Sequence, residues 1–416
     1  METREQAPDD SVRGELVDDP ETVIIRPQRI PPRRTRFWRR PAVKWTRRAV
    51  LAALLVFLIV VGWSIGGALT APGTDSTAAR LAEWGRDHGL GGIVTWLEKE
   101  QYDQNQPKTG GVPLGGIPKA QGAETTAPPP SGGASAPHTL PAPPAIQPVT
   151  GGTPLANEGQ WQTVVTVQGA PAVRVAELRP DAQHTSFVAG VMWMDPNLVR
   201  GQLQPGFQDP GGKWQASDEI APADRGSVAA VFNAGFRLDA SRGGYYSEGR
   251  TVVPLQNNAA SLVLDKNGVA SVGMWNDEVK MTPDVASVRQ NLAMLVDNGK
   301  VAANCASGGA VWGWTLGNDA YIDRSAFGVT ADGAEVYVGG PALSVCTLGR
   351  ILQAAGVVRG MELDINPDWI SGAYFHDQPS GNPTGFRLYP TQKLPPTKYF
   401  QPSMRDWFGW YARPQS

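Results

Sequence analysis

Three stretches hold residues whose types and spacing suit chemistry on an anionic substrate. In Gly360-Met361-Glu362-Leu363-Asp364-Ile365-Asn366-Pro367-Asp368-Trp369, apolar and polar residues alternate. A strand sends successive side chains to opposite faces. Met361, Leu363 and Ile365 can therefore face a core while Glu362, Asp364 and Asn366 line the other side. Pro367 has no N–H for the ladder and ends it. Two carboxylates at a strand end can act as acid, base or nucleophile around one sugar; they can equally be the solvated face of an edge strand. The second stretch runs from the apolar Ala229-Ala230-Val231-Phe232 into Asn233, then Ala234 and Gly235, small enough for backbone to approach a ligand. Arg237, Asp239, Tyr245, Tyr246 and Glu248 follow, combining an anion clamp with rings for sugar stacking; the plainer reading is an ordinary turn. The third, Asp323 to Val329, offers Arg324 for bidentate grip on a phosphate, or simply a surface arginine. Two adjacent carboxylates repel a phosphate, so a cation is required: Arg324, Arg237 or a bound divalent metal. No other cofactor is indicated.

The elements that must position these residues come late in the chain. Residues 159–416 are globular in composition and rich in short strand-like runs. Trp161 to Val167 and Val173 to Leu178 flank a Gly169-Ala170-Pro171 turn, and Ser186 to Met194 follows. Asn267-Gly268, Asn298-Gly299 and Asp332-Gly333 each sit between apolar runs and supply the positive φ of tight hairpins. From Ser344 to Ala355, Val345, Leu348, Ile351, Leu352 and Ala355 share one helical face, with Gly356 as the stop. The expected fold class is α+β (mixed α/β): a multi-stranded sheet domain with few packed helices. Cys305 and Cys346 both fall in this domain, and an oxidising compartment would join them; the alternative is two buried thiols.

The preceding chain reads as a delivery apparatus. Residues 1–48 are expected to be a disordered basic cytoplasmic tail. Residues 49–70 carry no charge over a length that crosses the hydrocarbon core. Arg39, Arg40, Lys44, Arg47 and Arg48 precede them, which places the N-terminus inside and the C-terminal domain outside, a single-pass membrane protein. A signal peptide is the competing reading, but its basic region would be unusually long. Gly62 and Gly66 form a small-xxx-small pair able to pack two such helices. Residues 71–103 read as a membrane-proximal helical segment, capped by Ser76 and interrupted at Gly89, Gly91 and Gly92. It would lie on the bilayer, pack on a second copy or form a plain stalk. Residues 104–158 are a Pro/Gly/Ala-rich linker, expected to stand the domain off the membrane. The net charge of −2 and four scattered histidines point neither to nucleic acid nor to a zinc site. Nine of the fourteen Trp lie from Trp161 onward, available to a core or to sugar faces.

Taken in order, these pieces resemble the phosphodiester glycosidase family, whose type domain is N-acetylglucosamine-1-phosphodiester alpha-N-acetylglucosaminidase-like, here in a bacterial, membrane-anchored form. Asn233-Ala234-Gly235-Phe236, Arg324-Ser325-Ala326-Phe327-Gly328, the helix stretch from Pro341 to Arg350 and Glu362 to Asp368 match its ordered motifs. The resemblance implies a hydrolase, a glycosidase acting on glycosyl phosphodiesters of an envelope glycan. Asp364 and Glu362 would be catalytic, and Asn233, Arg324, Arg237 and Asp239 substrate-binding. Its partners would be a carbohydrate or phosphate-linked glycan and the membrane. The sequence departs from the family where Ile365, Asn366 and Pro367 replace glycines and where Arg237 replaces an aromatic residue. Those changes leave a second expectation standing: a non-catalytic envelope glycan- or polymer-binding module of the same fold. A third is a structural envelope protein.

Overall fold

The computed structural model describes residues 41–123, 137–307, 309–313, 321–376 and 382–414. The expected tail at 1–48 lies outside the described residues up to position 40. Helix α1 (Pro41–Leu69) starts eight residues earlier than the apolar run, with Pro41 at its first position, where a missing N–H costs nothing. An 18-residue window of its Lys44–Leu69 portion has a mean hydropathy of 2.6 and none of that window is buried, so α1 is long and apolar enough to cross a membrane. The chain divides into two compact units at Gly62/Trp63, and the last turns of α1 belong to the larger.

That larger unit is mixed α+β. Among the described residues its strands form three antiparallel sheets, one of eight strands and two of five. Ile322–Thr330 runs at the centre of the largest sheet, between Glu335–Leu343 and Val357–Glu362. One five-stranded sheet orders Thr384–Arg387, Gly372–His376, Val228–Asn233, Trp407–Ala412 and Val199–Gln204. It packs face to face on the largest sheet through aromatic rings. Phe232 stacks on Tyr337 at 4.4 Å, Trp410 at 4.6 Å and Phe327 at 5.5 Å between centroids. Such pairs add to the burial of large apolar surfaces. The other five-stranded sheet carries Tyr245–Ser247, Val285–Gln290 and Ala260–Asp265 at its middle.

The three turn dipeptides all close hairpins: Ala260–Asp265 with Ala270–Met274, Met294–Asp297 with Lys300–Val301, and Ile322–Thr330 with Glu335–Leu343. Asn298 and Gly299 both take positive φ, as a two-residue hairpin needs. Beyond Glu335–Leu343, Ser344 caps helix α5 (counting α2 to α4 below), Val345–Ala354, accepting from Thr347 N at 3.1 Å. Its Val345, Leu348, Ile351 and Leu352 pack on Val336, Val338 and Val357, covering the outer face of the largest sheet. Gly356 ends it at φ +87°. Cys305 and Cys346 are joined as a disulfide, which ties the loop after Val301 to α5.

The approach to this domain packs against it. The membrane-proximal segment is a pair of helices, α2 (Thr77–Asp87) and α3 (Gly91–Gln104), broken where Gly89 takes φ +78°. The pair packs on the domain instead of forming a stalk. Ala79 joins Trp369 and Met404 in one apolar cluster, and Asp75 forms a buried ion pair with Lys398. The Pro/Gly-rich stretch is likewise not a free spacer where it is described. Ile117, Ala120 and Ile146 are buried, Gly110 N donates to Gln183 O at 2.6 Å, and Ala120 N to the Gln162 side chain at 3.1 Å. A segment too poor in apolar residues to form its own core can still lay a few of them on another.

One buried acid sets a pH limit on this fold. Glu177, in the strand Ala170–Leu178, is 6% exposed and its Oε2 has no hydrogen-bond partner. Burial pushes its carboxyl up to about 8. The unfolded chain releases that proton near the usual value of about 4.3. Between the two values the folded state binds more protons, so stability is full below the lower one and falls as pH rises through the upper one. Glu177→Gln is expected to remove that loss, worth on the order of 5 kcal/mol. Urea midpoints at pH 5 and pH 9 should then differ less than in the parent; an unchanged difference refutes the assignment.

Candidate active site

The Asn233–Arg237 turn shows why the sequence is small there. Asn233 spends its whole amide internally: Nδ2 donates to Ala234 O (2.8 Å) and Ser325 Oγ (3.0 Å), and Oδ1 accepts from Tyr337 OH (2.8 Å) and Ser371 N (3.2 Å). A Cβ on Gly235 would lie 3.0 Å from Asn291 Cγ and Oδ1. Asn291 fills that space and stitches the turn to the acidic stretch. Its Oδ1 accepts from Phe236 N (3.2 Å), and its Nδ2 donates to Glu362 O (2.7 Å) and Leu363 O (2.9 Å). Arg289 reinforces the same turn from below, donating to Phe236 O and to Asp406 Oδ2, the latter at 2.6 Å. Burial raises the Asp406 carboxyl, and Arg289 opposes that rise.

The alternation in the acidic stretch is real, but its polar side is not open. Val357–Glu362 lies between two other strands, and Met361, Glu362, Leu363 and Asp364 are all buried. Glu362 pairs with Arg324 Nη1 at 2.5 Å, and Arg324 Nε donates to Leu343 O at 2.9 Å. Burial raises the Glu362 carboxyl, with Arg324 opposing. Glu362 and Arg324 therefore form an interior ion pair, and neither lines the cavity described next. The sequence placed both on an open face for acid–base and phosphate-holding roles; the structure places both in the interior. Asn233 likewise has its donors and acceptors committed to the scaffold.

Asp364, at the end of the strand, does reach a cavity of about 410 Å³. Its Oδ1 accepts from Ile365 N (2.7 Å) and Asn366 N (3.0 Å), and its Oδ2 lies 3.1 Å from Arg405 Nη2. Burial raises the carboxyl above its usual range; Arg405 and the two N–H groups oppose this, while Glu83 adds to it. The Ile365 and Asn366 amides, where the resemblance has glycines, thus point at the carboxylate itself. Ile365 packs beside Ile322, Phe236 and Tyr102. Arg405 also donates to Gly235 O at 3.0 Å and sits over the Trp369 ring at 4.8 Å.

The opposite wall comes from α2 and α3. Four arginines and four carboxylates line the cavity in all. Arg237 grips Glu83, Asp87 (2.7 Å) and Asp239 (3.1 Å), with Asp239 exposed at the rim after the short helix α4 (Leu238–Ser241) begins. Arg86 holds Glu98 at 2.7 Å. Glu83 is 1% exposed, faces the cavity, and has one oxygen, Oε1, without a hydrogen-bond partner. Tyr102 adds a neutral phenol, since burial and Glu98 hold its titration far above the usual range. Among the described residues no group of three or more His, Cys, Asp or Glu is arranged to hold a metal. The disulfide lines a different cleft, with Asp181 and Arg350.

No protein-family model and no curated protein matches this chain. Solved structures do. The zebrafish N-acetylglucosamine-1-phosphodiester alpha-N-acetylglucosaminidase catalytic domain, auto-inhibited by pro-peptide, aligns at 14% identity over 62% of this chain and 88% of its own, with a TM-score of 0.40. The chain is distantly similar to a glycosidase catalytic domain. A hypothetical protein from Synechocystis aligns at 12% identity over 60% of this chain and 63% of its own, TM-score 0.32. A putative exported protein from Burkholderia pseudomallei aligns at 13% over 55% and 74%, TM-score 0.31.

Glu83, Arg405, Arg289 and Asn291 were not foreseen from the sequence. Arg289 and Asn291 flank the end of an apolar strand, where a buried charge leaves no local signature. Arg405-Asp406 directly precedes the aromatic strand Trp407–Ala412, and that juxtaposition was the one available hint.

Proposed function

We propose that this chain is a membrane-anchored, extracytoplasmic hydrolase that cleaves a sugar phosphodiester, with Asp364 as its essential carboxylate. The observation that carries the reading is the cavity itself: Asp364 fixed at its base, Arg405, Arg237 and Arg86 around it, and Glu83 facing in. A glycosyl phosphodiester has a leaving group that departs with its charge shared over oxygens, so acid assistance is modest. The reaction needs a carboxylate at the anomeric centre, a second group to manage the water proton, and cations on the phosphate. Asp364 fills the first place and Glu83, not Glu362, the second. Arg237 and Arg86 take the phosphate by exchanging carboxylate partners they already hold. The α1 helix anchors the chain with its N-terminus inside, by the basic residues before it.

The test is product formation by the full chain from a glycosyl phosphodiester. Glu83→Gln is expected to lower kcat about 10- to 100-fold and to remove one limb of the pH–rate profile. The fold should survive, because Arg237 keeps Asp87 and Asp239. A lowered rate with an unchanged profile would refute the proton-handling role.

A second reading has its own support. Both Asp364 oxygens already have internal donors, the arrangement of a structural carboxylate. In that reading the cavity binds an envelope glycan without turning it over. Calorimetric binding of phosphate-bearing glycan with no released product would select it.

A further inference from the structure

The wall made by α2 and α3 has a second face. Thr95, Glu98 and Tyr102 of α3 point into the cavity. On the opposite side of the same helix Ile93, Trp96 and Leu97 are 56%, 60% and 54% exposed, and Leu90 at the preceding turn is 40% exposed. Spacings of three and four residues put these side chains on one stripe. A contiguous apolar stripe of this kind on an exposed helix marks an interaction surface.

The fold says which surface. The α2 helix turns back alongside the end of the apolar helix. Trp84 Nε1 donates to Ser64 Oγ at 2.9 Å, and His88 Nε2 lies 3.3 Å from the same oxygen, with the Trp84 and His88 rings stacked at 4.5 Å. Arg80 clasps the helix end, donating to the carbonyls of Leu69 (3.1 Å), Ala71 and Gly73 (2.8 Å). Ser64 lies five residues before Leu69, roughly 8 Å inside the apolar run at the helical rise. The α2–α3 turn, directly after His88, therefore reaches the depth of the last turns of the apolar helix, with its stripe exposed. A Trp and a His at that level fit a bilayer interface.

We infer that the α2–α3 hairpin is seated in the membrane interface, with Leu90, Ile93, Trp96 and Leu97 among the lipid chains, and that the cavity it walls takes the head group of a membrane lipid bearing a sugar phosphodiester. The substrate half of this rests on the proposed hydrolase reading; the seating rests on α1 as the anchor. The arginines of the cavity would hold the phosphate while the lipid tail stays in the bilayer, so the substrate is drawn from two dimensions instead of from solution.

Two measurements on the full chain in phosphatidylcholine–phosphatidylglycerol vesicles separate the parts. In the first, Trp96→Cys carries an environment-sensitive fluorophore, with Val252→Cys, on an exposed strand of the domain, as reference. Cys305 and Cys346 are disulfide-bonded and do not compete for label. Emission at position 96 should shift to the blue and fall about twofold with shallow spin-labelled lipid, with no change at 252. The seating is overturned by matching behaviour at both sites, or by a blue shift without lipid quenching and crosslinking between copies at 96. In the second, the variant with Ile93→Ser, Trp96→Ser and Leu97→Ser is compared on a long-chain glycosyl phosphodiester held in vesicles and on its short-chain soluble analogue. The vesicle-held substrate should lose about tenfold in kcat/KM and the soluble one nothing. Parallel losses overturn the lipid-substrate inference. Absence of turnover by the parent on either substrate overturns the hydrolase reading and the substrate inference with it, while the fluorophore still reports the seating.

Discussion

Asp364→Asn is expected to lower turnover of a glycosyl phosphodiester by about a thousandfold or more, with little change in KM. The carboxylate is held by Ile365 N, Asn366 N and Arg405, all donors; an amide keeps the shape, and its oxygen can keep the two backbone N–H groups only by turning its NH2 toward Arg405. What it loses is the charge. At a developing positive anomeric centre, that charge is a large stabilising term. Stability will also fall, because Arg405 is left buried opposite a neutral group. Near-UV circular dichroism and a melting curve must therefore accompany the rates. A folded Asp364→Asn protein that retains turnover removes Asp364 from the reaction.

The second large effect is on stability. Arg289 and Asp406 are both buried, their side chains 1% and 0% exposed, at 2.6 Å. Arg289→Ala leaves the Asp406 carboxylate without its cation and frees the carbonyl of Phe236. Breaking a buried pair from one side costs about 3–5 kcal/mol, because the remaining charge is uncompensated. Replacing both at once, with Arg289→Met and Asp406→Leu, should cost clearly less. Urea unfolding of the three proteins reads the difference. Equal losses in the single and double variants would mean that the contact with Phe236, not the charge pair, holds the turn.

These two expectations also mark what the sequence made legible. Turn dipeptides and the period of α5 are local signals, and the hairpins at Asn267, Asn298 and Asp332 and the helix after Ser344 could be read from a few residues each. The alternation around Asp364 was equally local. Which face of that strand is open is not local: it depends on the strands to either side and on Leu343, whose carbonyl holds Arg324 against Glu362. So one carboxylate of the expected pair stands at the cavity and the other is sealed away. Glu83, the cavity-facing carboxylate proposed in its place, lies on a helix that the sequence placed only in a membrane-proximal segment. Only tertiary contact reveals that this helix also belongs to the domain. The Pro/Gly-rich stretch misled in a related way. Its composition does exclude a core of its own, but not the burial of Ile117 and Ile146 in someone else's.

The Asp75–Lys398 pair has a practical consequence for dissecting the molecule. Lys398 is 4% exposed, and Asp75 is its partner from a segment far upstream of the sheets. A fragment cut at the old compositional boundary, residue 159, would strand that ammonium without a counter-charge and strip Ala79 from Trp369 and Met404. The smallest piece that keeps its interior intact begins ahead of Asp75. Recombinant work on the sheet domain should therefore carry α2 and α3 along and place the cut at the end of the apolar helix.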